Sequence, residues 1–299
     1  MHKIAIIGAG NFGQAISGIV SSKQSVEIAM WDTDSAKVSD MQSLESVLRD
    51  AEVVFLCVSS WVLRKAAESI LPYVSSGAVI ISPTKGIEKD TLKTSDEILR
   101  DVFGDSANIA LMHGPMLAAE IAQKLPAYTV LATASKASYD LVSELFAGTL
   151  LQVEYSSDIH GVALAGVLKN IYSIGLGMAD AMLLGSNFRG WFVRVAIQEM
   201  GNIIAAFDGK RDTALTGAGI ADLIATGFSP HSRNCQVGHE IVQSGECITV
   251  SEGAESLPQM MALLDAKGVV APLCRGIGAI VSGNAPARDI DKIVASCVS

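Results

Sequence analysis

The chain has 299 residues and a formal net charge of −9, with 49% hydrophobic and 18% charged residues. That length allows two domains with substantial cores, and the acidic balance excludes general nucleic-acid binding, which needs a basic footprint. The most apolar stretch, residues 159–185, is broken by Lys169, Asn170 and Asp180, short of the roughly 18 uninterrupted apolar residues of a bilayer span, so no membrane span is expected.

The opening MHKIAIIG runs straight into a strand, without the n-region or cleavage site of a signal peptide. The strand, Lys3–Ile7, is followed by Gly8-Ala9-Gly10-Asn11-Phe12-Gly13 and a helical pattern from Gln14. Strand, glycine turn and helix are the context the dinucleotide fingerprint requires. Gly8 permits the tight turn, Gly10 lets a pyrophosphate approach the backbone, and Gly13 lets the helix pack on the sheet. The helix N-terminus offers free N–H groups and a positive dipole end to phosphates. A second strand, Val26–Trp31, ends at Asp32. An acidic residue there accepts from a ribose 2′-hydroxyl and repels a 2′-phosphate, which favours NAD over NADP. Asp34 competes for that role, and Asp32 would otherwise be a helix cap.

Ala51–Val58 is a continuous apolar run, as expected for a parallel strand covered on both faces. Helical spacing over Val62–Leu71 precedes a strand at Ala78–Ser82, which ends in Pro83-Thr84-Lys85-Gly86. A lysine is usually a solvated loop charge, but open α/β sheets bind ligands at that carboxyl edge, which gives a ligand role for Lys85 at least equal weight. Asn108–Met112 leads into His113-Gly114-Pro115-Met116-Leu117-Ala118-Ala119-Glu120, and Thr129–Ala132 and Leu151–Tyr155 read as closing strands. His113 and His160 have no partner at metal-ligand spacing, so no metal site is assigned.

From Ser157 onward strand signals nearly stop, setting a boundary between a dinucleotide-binding domain, 1–156, and a helical domain, 157–299. Helical patterns cover Ile159–Leu184, Arg189–Phe207, Ile220–Ala225, Leu257–Lys267 and Pro272–Ser282. The first is apolar all round, which predicts a helix buried on every side, yet it carries Lys169. Burying a lone cation costs several kcal/mol unless it is paired or deprotonated, so Lys169 either snorkels or works at a site. Asp222 and Thr226, four apart, share a helix face. Arg233 and Asn234 follow in a loop, where an arginine fork suits phosphate or carboxylate, although on these residues alone a surface arginine capping a helix is the preferred reading. The five cysteines form no CxxC pair, and an odd number in a large chain predicts reduced thiols and a cytoplasmic location.

Together these motifs resemble the NAD(P)-dependent glycerol-3-phosphate dehydrogenases. The resemblance rests on GAGNFG, SPTKGIE around Lys85, GPMLAAE at Gly114–Glu120, GVLKNIYSIGLGMADAM around Lys169, GSNFRG, the ADLIAT…SRN block and SEG at Ser251–Gly253. It implies an α/β Rossmann-type N-terminal domain followed by an all-α substrate domain of the 6-phosphogluconate-dehydrogenase-like kind. It implies Lys169 as catalytic acid/base, with Lys85 and Asp222 beside it. Substrate would be held by Lys85, Gly114, Thr226, Ser232, Arg233 and Asn234, the last two on its phosphate. Cofactor would be lined by Gly8, Gly10, Asn11, Phe12, Gly13, Asp32, Lys85, Ala118, Arg233 and Glu252. The implied reaction is reduction of dihydroxyacetone phosphate to sn-glycerol 3-phosphate and its reverse, with NAD the favoured cofactor and NADP the alternative. The partners expected are a small phosphorylated substrate and, as an option, a second copy in a homodimer.

Four departures stand out: a short segment after Asp32, Met116 where the family usually has Ser or Thr, GAGIADL where GLGDL is usual, and a loop between Thr226 and Arg233 that is this chain's own. They leave open another phosphorylated or carboxylated hydroxy compound as substrate. A hydroxyacid or ketopantoate-type dehydrogenase is the nearest rival. A non-catalytic dinucleotide-binding redox sensor would need the glycine loop but not Lys169, Lys85 and Arg233 together.

Overall fold

Seven short strands of the first half form one sheet in the computed structural model, which describes residues 2–40 and 42–297. They are β1 (His2–Ile7), β2 (Val26–Trp31), β3 (Val53–Leu56), β4 (Val79–Ser82), β5 (Asn108–His113), β6 (Ala127–Thr133) and β7 (Leu151–Ser156), in the order β2-β1-β3-β4-β5-β6-β7. β1 to β5 are parallel; β6 runs antiparallel to β5, and β7 pairs parallel with β6. The chain leaves β1 toward β2 on one side and returns to β3 on the other. The carboxyl ends of these three strands therefore flank the crevice at which open α/β sheets bind ligands.

Around the sheet lie α1 (Asn11–Val20), α2 (Leu44–Leu48), α3 (Leu63–Ile70), α4 (Ser95–Phe103), α5 (Ala118–Ala122) and α6 (Lys136–Phe146). Ile4, Ile6, Ile16, Phe55, Leu131 and Phe146 are fully buried in the core of this unit. Each such side chain contributes about 1.5–3 kcal/mol of transfer free energy. Met116 belongs to the same core.

The second half is helical: α7 (Ile159–Ala181), α8 (Gly185–Ala206), α9 (Asp222–Gly227), α10 (Arg233–Ser244), α11 (Glu252–Lys267), α12 (Pro272–Val281) and α13 (Ile290–Ser296). Every residue from Gly161 to Ala179 is buried, as an all-round apolar helix requires. By length and mean hydropathy α7 could cross a bilayer, contrary to the count of uninterrupted apolar residues. Averaging over a window absorbs its few polar residues, but that window is wholly buried inside the protein. A Cβ on Gly177 would stand 2.2 Å from the Cys235 carbonyl oxygen, and one on Gly238 2.3 Å from that of Ile174. α7 and α10 thus cross in backbone contact.

Glu199 of α8 is buried, and its carboxylate accepts from the Leu273 and Cys274 N–H groups, each at 2.8 Å, and from the Tyr172 hydroxyl at 3.0 Å. It thereby caps α12, whose first N–H groups have no partner within the helix. Burial pushes the Glu199 carboxyl up, against the pull of these three donors.

The two compact units are Met1–Thr84 with Lys93–Ile159, and Lys85–Leu92 with His160–Ser299. This differs from a single cut after residue 156, because Lys85–Leu92 is tied to the helices. Lys85 pairs with Asp222, Asn170 Nδ2 donates to the Lys85 carbonyl at 3.4 Å, and Ile87 N–H donates to Ser256 Oγ at 3.3 Å.

Candidate active site

In the sheet unit, Gly8 sits at φ +100°, where a Cβ would lie 2.4 Å from the Cys57 carbonyl oxygen. A Cβ on Gly13 would lie 2.0 Å from the Gly8 carbonyl oxygen. Around Gly10, by contrast, nothing lies within 4 Å of a built Cβ, and no side chain caps α1. Two glycines are thus demanded by the protein, while the third faces open space beside uncapped N–H groups, a cradle suited to a pyrophosphate.

Two cavities open beside this turn within the unit. One is lined by Gly8, Trp31, Asp32, Thr33, Val58 and Lys65, among others; the other by Asn11, Gln14, Ala118 and neighbours on α1 and α5. Phe12 is partly buried against the core below them. Asp32 is buried; its Oδ2 accepts from Ala9 N–H at 2.7 Å and its Oδ1 from Asp34 N–H at 2.9 Å. Lys37 Nζ lies 3.6 Å from Oδ1. Burial would raise the Asp32 carboxyl, but these N–H groups and the Lys37 ammonium outweigh it and hold it below its ordinary value. Asp34 instead caps the short turn Ser35–Lys37 through Ala36 N–H. Gly114, at φ +155°, makes a turn in which a Cβ would meet the Tyr128 carbonyl oxygen at 2.7 Å.

In the helical unit the buried lysine has found its counter-ion. Lys169 Nζ donates to Thr226 Oγ1 at 2.7 Å and lies 3.2 Å from Asp222 Oδ1; the Thr226 hydroxyl donates to the same Oδ1 at 3.2 Å. Lys85 Nζ holds the other oxygen, Oδ2, at 2.6 Å. Lys169 is 5% exposed, which excludes snorkelling. Burial pulls its ammonium down to about 8; Asp222 opposes the fall and Lys85 adds to it. Burial alone would raise the Asp222 carboxyl, but the two lysines keep it below its ordinary value and therefore ionised. One carboxylate thus anchors two ammonium groups, one of them poised to release its proton near neutral pH.

Asp222 and Thr226 share a face because α9 continues from a π-type turn at Gly217–Ala221. The expected loop at Arg233 and Asn234 is instead the first turn of α10. Ser232 caps it, accepting from Cys235 N–H at 3.2 Å. Ser-x-x-Cys lacks the acidic third residue of a capping box, which is why the start was hard to read. Arg233 is exposed and makes no ion pair among the described residues. Asn234 is buried in an internal chain: its Nδ2 donates to Asn170 Oδ1 at 2.9 Å and its Oδ1 accepts from Gly253 N–H at 3.0 Å. One amide hydrogen remains to it. Glu252 begins α11, half-buried.

The family description "NAD-dependent glycerol-3-phosphate dehydrogenase C-terminus" matches residues 158–292, and its N-terminus counterpart matches residues 35–139. The chain belongs to the NAD-dependent glycerol-3-phosphate dehydrogenase family. It is 32% identical to the glycerol-3-phosphate dehydrogenase (NAD(P)+) of Ectopseudomonas mendocina, over 94% of this chain and 90% of that protein. The enzyme of the same description from Geobacter sp. is 29% identical over 96% and 95%. The crystal structure of glycerol-3-phosphate dehydrogenase from Coxiella burnetii superposes with a TM-score of 0.86 at 24% identity, covering 97% of this chain and 98% of that one. A ketopantoate reductase from Ralstonia eutropha shares the general fold at a TM-score of 0.63 and 18% identity. The N-terminal family match begins at residue 35, so the glycine turn and Asp32 stand on their own geometry.

Asn170, which the sequence offers either as orienting Lys169 or as satisfying a backbone group, donates to the Lys85 carbonyl and accepts from Asn234. Sequence reasoning passed over two groups that shape these sites. Lys37 and Lys65 flank Asp32 and its cavity; nothing in their local sequence marks them.

Proposed function

We propose that this chain reduces dihydroxyacetone phosphate to sn-glycerol 3-phosphate with NADH or NADPH, and catalyses the reverse. The observation that carries the reading is the buried Lys169–Thr226–Asp222–Lys85 cluster. Gly10 and the uncapped N–H groups of α1 would hold the dinucleotide's pyrophosphate, and the bound cofactor would provide hydride chemistry.

As hydride reaches the carbonyl carbon, negative charge develops on the carbonyl oxygen, and Lys169 donates the proton that completes the alcohol. In the reverse direction neutral Lys169 takes the hydroxyl proton. Thr226 fixes the direction of the lysine, and Asp222 keeps the ammonium from deprotonating entirely in its buried setting. Lys85, on the other carboxylate oxygen, supplies a second positive charge toward the oxyanion. Arg233, exposed and in no ion pair among the described residues, and the remaining amide hydrogen of Asn234 suit a substrate phosphate, to which guanidinium forks bind in bidentate fashion. Asp32 favours NADH.

The deciding experiment is NADH and NADPH oxidation titrated with dihydroxyacetone phosphate and, separately, with 2-ketoacids. Saturable oxidation with the former supports the reading. Cofactor binding without oxidation, or oxidation only with ketoacids, sinks it.

A further inference from the structure

We infer that Ser256 is a positioning residue for the reaction: by holding the backbone at Ile87 it seats Lys85 on Asp222. The inference rests on the roles proposed above for Lys169 and Lys85.

Lys85 stands in a segment, Lys85–Leu92, that belongs to no helix or sheet strand, so what the segment touches sets its place. Two side chains of the helical unit hold its backbone. Asn170, next to Lys169 on α7, donates to the Lys85 carbonyl at 3.4 Å. Ser256, in the second turn of α11, accepts from Ile87 N–H at 3.3 Å. The hydroxyl of a helical serine can donate to the preceding turn and still accept; Ser256 uses that accepting capacity on a group outside α11. Ile87 and Ser256 are 4% and 1% exposed, so loss of the hydroxyl would leave a buried N–H without its acceptor. The Ile87 side chain belongs to the helical core, which keeps the segment attached in that event. The residues just before Ile87 would still gain freedom. Lys85 Nζ would then spend less time on Asp222 Oδ2, which it meets at 2.6 Å.

Among the described residues, the titratable groups that bear on Lys169 are Asp222 of α9 and Cys235 of α10, which favour its ammonium, and Lys85, which opposes it. Withdrawing Lys85 leaves Asp222 to Lys169 alone and raises that ammonium above its value of about 8. It also takes a positive charge away from the developing oxyanion. The rate therefore falls while the proton is held more tightly.

The test compares wild type, Ser256→Ala, Lys85→Met and the double variant, as full chains, in steady-state reduction of dihydroxyacetone phosphate by NADH as a function of pH. In Ser256→Ala, kcat at neutral pH is expected to fall about 2- to 10-fold, the worth of one hydrogen bond. The descending limb of its profile should move above the wild-type position of about 8. Ser256→Thr, which keeps the hydroxyl, is expected to leave the limb where it is in wild type. On the Lys85→Met background, Ser256→Ala is expected to change neither kcat nor the limb further, because the group it acts through is gone. A limb that does not move in Ser256→Ala overturns the inference. So does an equal fold-loss with and without Lys85, which would mark the serine as structural only. A wild type that oxidises no NADH with dihydroxyacetone phosphate would instead overturn the proposed function, and the inference with it.

Discussion

Asp222 Oδ1 lies 3.2 Å from Lys169 Nζ, bringing a carboxylate from the short helix α9 against the one ammonium of the buried helix α7. The same carboxylate reaches Lys85 through its other oxygen. Separating either lysine from it would leave a buried charge uncompensated, which costs several kcal/mol.

Replacing Lys169 by Met removes the proposed proton donor, and kcat for reduction should fall about 10²–10⁴-fold. In the wild type the ammonium titrates at about 8. The reduction rate, which needs the protonated form, should therefore decline as pH rises through about 8, while oxidation should rise through the same point. Near-normal reduction by Lys169→Met would remove the lysine from the chemistry.

The Asp222→Asn enzyme has lost the charge that opposes the burial-driven fall at Lys169. The descending limb of the reduction profile should accordingly move to lower pH than in wild type, and activity at pH 7 should drop. Steady-state profiles of the folded variant decide this; a limb that stays near 8 would show that Asp222 does not set the lysine.

Arg233→Met removes an exposed guanidinium that makes no ion pair among the described residues. Loss of a charge-assisted bond to phosphate, worth about 1.5–3 kcal/mol, should raise KM for dihydroxyacetone phosphate roughly 10- to 100-fold. Thermal stability should hardly change. An unaltered KM would assign the phosphate to another group.

The glycine turn separates steric from ligand constraints. Gly13→Ala drives a Cβ into the Gly8 carbonyl and should destabilise the protein by about 1–3 kcal/mol. Gly10→Ala meets no protein atom, so its melting temperature should stay near wild type while dinucleotide affinity falls. Calorimetry with a cofactor titration compares the two, and unchanged affinity in Gly10→Ala would argue against a pyrophosphate there.

Glu199→Ala leaves two helix N–H groups and the Tyr172 hydroxyl without their buried acceptor. The expected loss is about 2–4 kcal/mol, read as a lowered Tm. A Tm equal to wild type would mean that water replaces the carboxylate at no cost.

All seven strands were legible: β3 and β4 read as continuous apolar runs because both their faces are covered, whereas the edge strands β2 and β7 carry exposed polar residues among their apolar ones. The helix around Lys169 was equally plain, because all-round apolarity has one soluble solution. The antiparallel turn of β6 against β5 was not, since apolar runs carry no direction. The pairing of Lys85 with Asp222 spans 137 positions, and no local pattern records it; only the ordered resemblance of whole motifs brought both to one site. Asn234 was legible as a polar residue beside Arg233, but its engagement with Asn170 and Gly253 depends on where α7, α10 and α11 converge.

The segment Lys85–Leu92 enters the helical unit and leaves it again within eight residues. Each unit is therefore assembled from two separate stretches of chain, and no single peptide-bond cleavage releases either one whole. A fragment ending at residue 156 would carry Lys85 away from its carboxylate, and one beginning at 157 would keep Asp222 with a single lysine. Gene-level separation of the nucleotide-binding and helical parts, by fission or by exchange with a relative, must carry this short excursion along with the helices to preserve the paired ammoniums.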